Sequence, residues 1–241
     1  MTGYIDIHSH LLPAIDDGAK DLHTALEMFR IAEKSGIEKM ILTPHFKPMR
    51  RSASPEKIAE MINRMEELLE KEKIAIQLYP GNEIYYHSEA TVILEEKKAC
   101  TMANSEYVLV EFSPMDEYDY IRNGIYQVMA GGYRPILAHA ERYESVSRDI
   151  ERVEDLIQMG CYIQVNAGSI MGKFGFSTKQ FTKKLLKQRL LHFVATDAHD
   201  TAKRAPQLMD CAKYISKKFT EEYMRELLVE NPLHIIQNEY I

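Results

Sequence analysis

Hydrophobic residues recur along this chain as short, nearly continuous apolar runs, separated by longer amphipathic stretches. Continuous runs are typical of parallel strands covered on both faces, whereas strictly alternating runs are typical of half-exposed strands. The pattern predicts seven strands: Tyr4–His8, Lys39–Pro44, Ile74–Gly81, Tyr107–Phe112, Arg134–His139, Cys161–Asn166 and His192–Asp197.

The stretches between these runs read as helices with recognisable boundaries. Ser54 is a good N-cap, and Pro55 follows it at the first helical position, where proline is favoured. Gly160 is placed to end another helix that begins near Arg148. The β-α order, repeated about seven times, favours an α/β fold whose parallel sheet closes into a barrel. No linker divides residues 1–241, so we expect a single domain.

Composition excludes several classes of protein. The chain has 241 residues, 45% hydrophobic residues and a formal net charge of −6, which is unlike a nucleic-acid-binding surface. No apolar run is long enough to span a bilayer, and the N-terminus does not resemble a signal peptide. We therefore expect a cytoplasmic protein that is not inserted in a membrane.

The three cysteines, Cys100, Cys161 and Cys211, are an odd number without paired spacing, which suits a reducing compartment. Cysteine-dependent phosphatases place an arginine after five intervening residues. The residues at that offset here are Glu106, Ala167 and Lys217. None of the three cysteines therefore fits that nucleophile.

The residue types that bind metals follow the ends of the predicted strands. His8 and His10 share one face because strand side chains alternate. Glu111 interrupts an apolar run, where a lone carboxylate is costly unless it is paired or bound to metal. The strand ends supply His8, His10, Asp16, Asp17, His45, Glu83, Glu111, His139, Asp197 and His199. The sixth strand, ending at Asn166, offers no obvious ligand.

In a parallel barrel these ends meet at one rim, where catalytic residues collect. So many histidines and carboxylates suit two or three ions of Mn, Fe or Zn better than Mg or Ca alone. Arg142 beside His139 and Arg204 shortly after His199 are placed to bind phosphate oxygens. The residues predict a metal-dependent hydrolase, most plausibly of phosphate esters.

Several nearby residues have simpler interpretations. Asp16-Asp17-Gly18 is also a good turn sequence. Lys47, Arg50 and Arg51 form a basic loop beside His45 that is either merely solvated or attracts an acidic substrate. The remaining histidines are interpreted as structural or surface residues: His23, His87, His192 and His234.

These motifs resemble the PHP (polymerase and histidinol phosphatase) superfamily. Within it, the chain resembles the manganese-dependent protein-tyrosine phosphatases of Gram-positive capsule and exopolysaccharide loci over nearly its whole length. The resemblance rests on the segments Ile5–His10, Asp16–Gly18, His139–Tyr143, Asn166–Ser169, Gly172–Gly175 and Thr196–Asp200.

This resemblance implies a distorted seven-stranded (β/α)7 TIM-like barrel that holds three manganese ions. It implies Arg142 and Arg204 as phosphate-contacting residues, and places Asp197 and His199 in the catalytic centre. It implies nine metal ligands, preferring Asp17 over Asp16: His8, His10, Asp17, His45, Glu83, Glu111, His139, Asp197 and His199.

The implied reaction is phosphotyrosine hydrolysis by a metal-bridging hydroxide, without a phospho-enzyme. The implied substrate is the tyrosine-rich tail of a cognate bacterial tyrosine kinase that controls polysaccharide export.

Three alternatives remain at this stage. A small-molecule phosphatase such as histidinol-phosphate phosphatase would share the metal ligands. A non-catalytic PHP module would have lost some of them, whereas all nine types are present. A metal-dependent deaminase is disfavoured because the strand ends lack the lysine that many such barrels modify. The sequence leaves the oligomeric state open.

Overall fold

The computed structural model of the protein describes residues 3–48 and 52–241. Within these ranges the chain forms nine strand segments, and every pairing between them is parallel. They are β1 (Tyr4–Asp6), β2 (Ile37–Leu42), β3 (His45–Phe46), β4 (Gln77–Pro80), β5 (Glu83–Tyr85), β6 (Tyr107–Glu111), β7 (Arg134–Leu137), β8 (Tyr162–Asn166) and β9 (Phe193–Ala195).

Helices occupy the connections between the strands, as the amphipathic stretches predicted. They are α1 (Leu22–Lys34), α2 (Pro55–Glu72), α3 (Ala90–Glu95), α4 (Tyr118–Ala130), α5 (Glu144–Ser147), α6 (Ile150–Met159), α7 (Ala167–Met171), α8 (Phe176–Lys187), α9 (Met209–Lys218), α10 (Glu221–Arg225) and α11 (Asn231–Gln237). Short 3₁₀ turns lie at Met102–Asn104 and Ala140–Arg142, and a π-helical turn at Glu226–Glu230. No helix in the described ranges is both long enough and apolar enough to cross a bilayer.

Helix boundaries follow local chemistry. The Ser54 side chain accepts a hydrogen bond from the Lys57 amide at the start of α2, and Pro55 occupies the first turn. Gly160 ends α6 with φ of 105°, a left-handed conformation in which glycine costs least. Near the C-terminus the helical chain consists of three consecutive pieces, and Pro232 lies at the start of the last one.

The strands are distributed over two sheets, with orders β1-β2-β4 and β3-β5-β6-β7-β8-β9. The α/β class and the parallel strand order are therefore confirmed, but seven continuous strands are not. The second predicted strand is broken after Leu42 and the third after Pro80. Asn82 causes part of this break, because its amide donates to the Pro44 carbonyl at 2.8 Å and accepts from the Cys100 amide at 2.7 Å.

The sheet is curled around a small apolar cluster. Tyr107 and Leu109 of β6 pack in this cluster with residues from β1, β2, β7 and β9. Val108 and Val110 point the opposite way, into the larger core beneath the helices. Because side chains alternate along a strand, Glu111 continues the inner row and lies above the apolar cluster. The inner face is thus apolar below and polar at the carboxyl ends of the strands.

Candidate metal centre

His8 and His10 extend from the end of β1 and bring their rings together, with 3.3 Å between the two Nε2 atoms. Ser9 turns away, and its hydroxyl donates to the Ile41 carbonyl at 3.1 Å. The following loop packs directly on this segment at Gly18. A Cβ at Gly18 would lie 2.0 Å from the His10 carbonyl oxygen, so a side chain there would displace the loop.

The two aspartates of that loop have different environments. Asp16 is partly buried, with a side chain that is 6% exposed, and its Oδ2 lies 2.7 Å from His10 Nδ1 and accepts the His45 amide at 3.1 Å. Asp17 is exposed, with Oδ1 3.3 Å from His45 Nε2 and 3.6 Å from His199 Nε2. Asp16 therefore orients the His10 ring, while Asp17 faces two further imidazoles.

Glu83 lies at the middle of the cluster and is 1% exposed. Its Oε2 is 2.9 Å from His45 Nδ1 and 3.3 Å from His10 Nε2, and its Oε1 is 2.8 Å from His139 Nε2. Burial alone would raise the pKa of this carboxyl, but His8 and the other imidazoles hold it well below its usual value. Glu83 is thus a carboxylate shared between several rings.

Glu111 and His139 complete this side of the cluster. The Glu111 carboxylate lies 3.5 Å from His45 Nδ1 and 3.6 Å from His139 Nε2. His139 has a left-handed backbone, with φ of 33°, at the point where the chain leaves β7. Such a conformation in a non-glycine residue is strained and is often retained at functional sites.

Asp197 closes the ring after β9, also with a positive φ, of 51°. Its Oδ1 lies 3.4 Å from His8 Nε2 and 3.5 Å from His199 Nδ1. Its Oδ2 accepts from Asn166 Nδ2 at 2.8 Å and is 2.7 Å from Arg204 Nη2. The two oxygens thus have separate partners: imidazoles on one side, and an amide and a guanidinium on the other.

The electrostatics of the cluster favour positive charge. Burial disfavours protonation of His10, yet Asp16 and Glu83 raise its pKa to about 9. Burial likewise opposes the charge on His45 and His139, and neighbouring carboxylates raise the pKa of each to about 10. The concentrated carboxylates therefore attract protons here, as they would attract a cation.

The donor set also fits metal ions on direct geometric grounds. Three groups of described residues each place their ligand atoms within 4.8 Å of one another: His10–Asp17–His45–His199, His8–His10–Asp197 and His45–Glu83–Glu111. Within the described ranges, His45 Nδ1, Glu83 Oε2 and Glu111 Oε2 are buried without a hydrogen-bond partner. Buried polar atoms at 2.9–3.5 Å that form no aligned hydrogen bond are the arrangement expected of metal ligands.

His139 lies outside these three groups but beside them. Its Nε2 contacts Glu83, and its Nδ1 is a further buried atom that lacks a partner among the described residues. The structure thus brings all nine predicted ligands to one rim of the sheet.

Two arginines border the cluster, as their positions in the sequence suggested. Arg142 Nη1 lies 3.5 Å from Asp197 Oδ2, and its side chain is 43% exposed. Arg204 contacts the same oxygen and is 28% exposed. Both line a cavity of about 370 Å³ that also reaches Asp197. An anion entering this cavity would meet two guanidinium groups beside the cluster.

The sequence reasoning missed the contribution of β8. Gln164 Oε1 lies 3.2 Å from His8 Nδ1 and accepts the His139 amide at 2.8 Å. The Gln164 amide donates to Asn166 Oδ1 at 2.9 Å, and Asn166 in turn donates to Asp197. The signal was available: two polar residues on one face of an apolar run need partners, which was the argument applied to Glu111.

The three cysteines are free and buried. Burial raises the pKa of the Cys100 thiol to about 11 and of the Cys161 and Cys211 thiols to about 12. They are therefore protonated at neutral pH and unsuited to nucleophilic attack. Of the predicted basic loop, Arg50 and Arg51 lie outside the described residues.

The motif resemblance is matched by whole-chain similarity. The family described as "Capsular polysaccharide synthesis, CpsB/CapC" matches residues 4–237. The chain is 33% identical over 242 residues to the tyrosine-protein phosphatase CpsB of Streptococcus agalactiae serotype III (strain NEM316), covering 98% of this chain and 100% of that protein.

Solved structures agree with this similarity. The fold superimposes with a TM-score of 0.91, at 32% identity, on a structure from a study of YwqE from Bacillus subtilis and CpsB from Streptococcus pneumoniae, metal-dependent tyrosine phosphatases. That match covers 98% of this chain and 96% of the other. A histidinol phosphate phosphatase from Lactococcus lactis shares the fold alone, with a TM-score of 0.57 at 15% identity over 90% of this chain and 93% of that one. The chain therefore belongs to the CpsB/CapC family of capsular polysaccharide synthesis proteins.

Proposed function

We propose that the protein is a metal-dependent protein-tyrosine phosphatase that hydrolyses phosphotyrosine in protein substrates. The observation that carries this proposal is the placement of Arg142 and Arg204 on the same carboxylate, Asp197, that faces His8 and His199. A phosphate held by the two arginines would lie against the metal centre. The relatives named as tyrosine-protein phosphatases favour an aryl phosphate over other esters.

The proposed metal site uses all nine residues, and Asp16 holds the ring of His10 in place. Mixed imidazole and carboxylate donors suit Mn²⁺, with Fe or Zn as possible replacements. Three groups of donors support three ions, for which Glu83 and Asp197 offer carboxylates that face more than one group. When bound, the ions supply an activated water for in-line attack and neutralise charge on the phosphate.

The protein's own side chains have three roles in this reaction. Arg142 and Arg204 bind and orient the phosphate oxygens, exchanging their contact with Asp197 for the substrate. Gln164 and Asn166 fix His8 and Asp197. No thiol takes part, because the cysteines are buried and protonated, so the phosphoryl group passes to water without a cysteinyl intermediate.

We also propose that the two sheets are one distorted seven-stranded barrel and that the chain is a single domain. Support comes from the join between β1 and β9, where Ser9 and Ala198 form a parallel bridge. The Asp197 amide donates to the His8 carbonyl at 2.9 Å, and the His10 amide donates to the Ala198 carbonyl at 2.9 Å. If β2 with β3 and β4 with β5 are each counted as one broken strand, seven remain.

The proposed physiological substrate is the phosphorylated tyrosine-rich tail of a cognate bacterial tyrosine kinase, and the proposed location is the cytoplasm. The capsular family assignment supports a substrate in polysaccharide export. The three free thiols are compatible with a reducing compartment. The cavity at the rim is accessible to a flexible chain, because Arg142 is 43% exposed.

The alternative hypothesis, a small-molecule phosphatase, is tested by comparing substrates. Purified protein is supplied with manganese and then with a phosphotyrosine peptide or with histidinol phosphate, and phosphate release is measured. The proposal predicts a much higher kcat/KM on the peptide. A higher kcat/KM on histidinol phosphate would replace it with the small-molecule function, and no turnover of either would favour a non-catalytic PHP module.

A further inference from the structure

The cavity beside the metal centre has an apolar wall as well as a charged one. Arg142 and Arg204 line it together with Phe174 and Pro114. Its volume of about 370 Å³ is in the range of sites that enclose small ligands. A phosphate needs only the guanidinium groups, so the apolar wall is available to the group that carries the phosphate.

Phe174 is placed on this wall by its backbone. It lies in the turn between α7 and α8, flanked by Gly172 and Gly175, whose φ angles of 86° and 101° bend the chain sharply. The Lys173 amide donates to the Gly168 carbonyl at 2.9 Å and ties the turn to α7. The ring is 48% exposed although it is large and apolar. The turn therefore holds an aromatic ring at the surface.

The ring rests on Gly168. A Cβ at Gly168 would lie 2.8 Å from Phe174 Cε2, closer than side-chain carbons normally approach. The bare backbone of Gly168 is what allows the ring to pack there. The Cε2 side of the Phe174 ring is thus packed against α7, which limits where the ring can lie.

Glu141 links the segment that carries Arg142 to the helix that supports Phe174. It precedes Arg142 in the chain, and its Oε1 accepts from the Ser169 hydroxyl at 2.6 Å and the Asn166 amide at 2.9 Å. Ser169 follows Gly168 in α7. The turn that carries Arg142 and the helix that supports Phe174 are therefore joined by one buried carboxylate, which is 5% exposed.

We propose that Phe174 is a specificity-determining residue that stacks on the phenyl ring of phosphotyrosine while Arg142 and Arg204 hold its phosphate. This inference rests on the proposed function and deepens it. Aromatic rings attract one another in offset or edge-to-face geometries beyond their apolar contact, and an alkyl phosphate gains nothing comparable. The wall thereby discriminates aryl phosphates from phosphoserine and phosphothreonine.

The test uses Phe174→Leu, with Phe176→Leu as its matched control. Phe176 is 77% exposed and is not among the cavity-lining residues, so its replacement should leave the kinetics unchanged. Phe174→Leu should raise KM for a phosphotyrosine peptide roughly three- to tenfold with little change in kcat. Competitive inhibition by inorganic phosphate should be unaffected, because the arginines remain in place. Gly168→Ala, which displaces the ring, should raise KM in the same direction.

Two results would contradict the proposal that Phe174 stacks on the substrate. Equal kinetics for the Phe174→Leu and Phe176→Leu variants would show that the ring does not contact substrate. A parallel loss of phosphate inhibition in Phe174→Leu would show that Phe174 acts through the arginines. A wild-type protein inactive on the phosphotyrosine peptide would overturn the proposed function itself, whereas an active wild type with an unaltered Phe174→Leu variant would overturn this inference alone.

Discussion

Asn166 donates a hydrogen bond of 2.8 Å from Nδ2 to Oδ2 of Asp197, the same oxygen that Arg204 Nη2 reaches at 2.7 Å. This oxygen is thereby kept away from the imidazoles, which contact Oδ1. In the proposed site, this one carboxylate therefore separates a metal side from a phosphate side.

Arg142→Ala should retain bound metal but lose most activity. Arg142 belongs to none of the three donor groups and lies 3.5 Å from Asp197, so its removal leaves the proposed metal ligands in place. What is lost is one of the two guanidinium groups proposed to bind the phosphate. Removing one such oxyanion donor costs about 100-fold in kcat or more. Metal content by elemental analysis and kcat on a phosphotyrosine peptide are the readouts. Arg148→Ala, an exposed arginine paired with Glu144, is the control. Loss of metal in Arg142→Ala would remove Arg142 from the phosphate side.

Gln164→Leu should weaken metal binding without unfolding the protein. Leucine has a similar volume but leaves His8 Nδ1 and the His139 amide without the oxygen that both now contact. Loss of such an outer partner typically costs 10–100-fold in metal affinity. Calorimetric titration with manganese measures the change. Gln188→Leu, at the exposed C-terminal end of α8, should bind manganese as the wild type does. Unchanged affinity in Gln164→Leu would mean that His8 needs no such support.

Thiol alkylation should leave activity intact. Because burial raises the pKa of Cys161 and Cys211 to about 12, almost no thiolate is present at pH 8. Iodoacetamide at pH 8 should therefore label the folded protein slowly, whereas denaturant should expose all three cysteines. Labelling is counted by mass spectrometry and compared with residual phosphatase activity. Inactivation in proportion to one modified thiol would reintroduce a cysteine mechanism.

His192 should make stability sensitive to acid. Burial lowers its pKa to about 4, and its Nδ1 accepts the Ile163 amide at 3.0 Å in the neutral form. An unfolded histidine titrates near 6.5, so between pH 6.5 and 4 the unfolded state binds a proton that the folded state does not. The free energy of unfolding is therefore fully retained above pH 6.5 and decreases as the pH falls from 6.5 towards 4. The loss reaches about 3 kcal/mol by pH 4. His192→Asn preserves an acceptor but cannot be protonated, so its unfolding free energy should fall less over that range. Identical pH profiles would contradict the assignment.

The strand ends were predictable because buried parallel strands appear as continuous apolar runs and the candidate ligands appear as His, Asp or Glu directly after these runs. Glu111 was recognisable as a carboxylate in an apolar run, and the structure places it on the inner face above Leu109. The residue pattern alone did not distinguish Asp16 from Asp17, and only the family resemblance preferred Asp17, because adjacent residues of one turn differ only in how the loop folds over His10.

The breaks in the second and third strands could not be predicted from the sequence, for a different reason. At Asn82, side-chain hydrogen bonds to Pro44 and Cys100 take the place of main-chain pairing. A hydropathy pattern carries no information on such hydrogen bonds. Gln164 and Asn166 were overlooked because amides are weak metal ligands, although their side chains contact two of the predicted ligands, His8 and Asp197.

Removing the metal and restoring it tests whether phosphotyrosine hydrolysis depends on the metal centre. The protein is stripped with a chelator, assayed for phosphate release from a phosphotyrosine peptide, and assayed again after manganese is added. We expect no turnover by the stripped protein and rapid turnover once manganese is added. Full activity in the stripped protein, or none after manganese is restored to a folded sample, would contradict it.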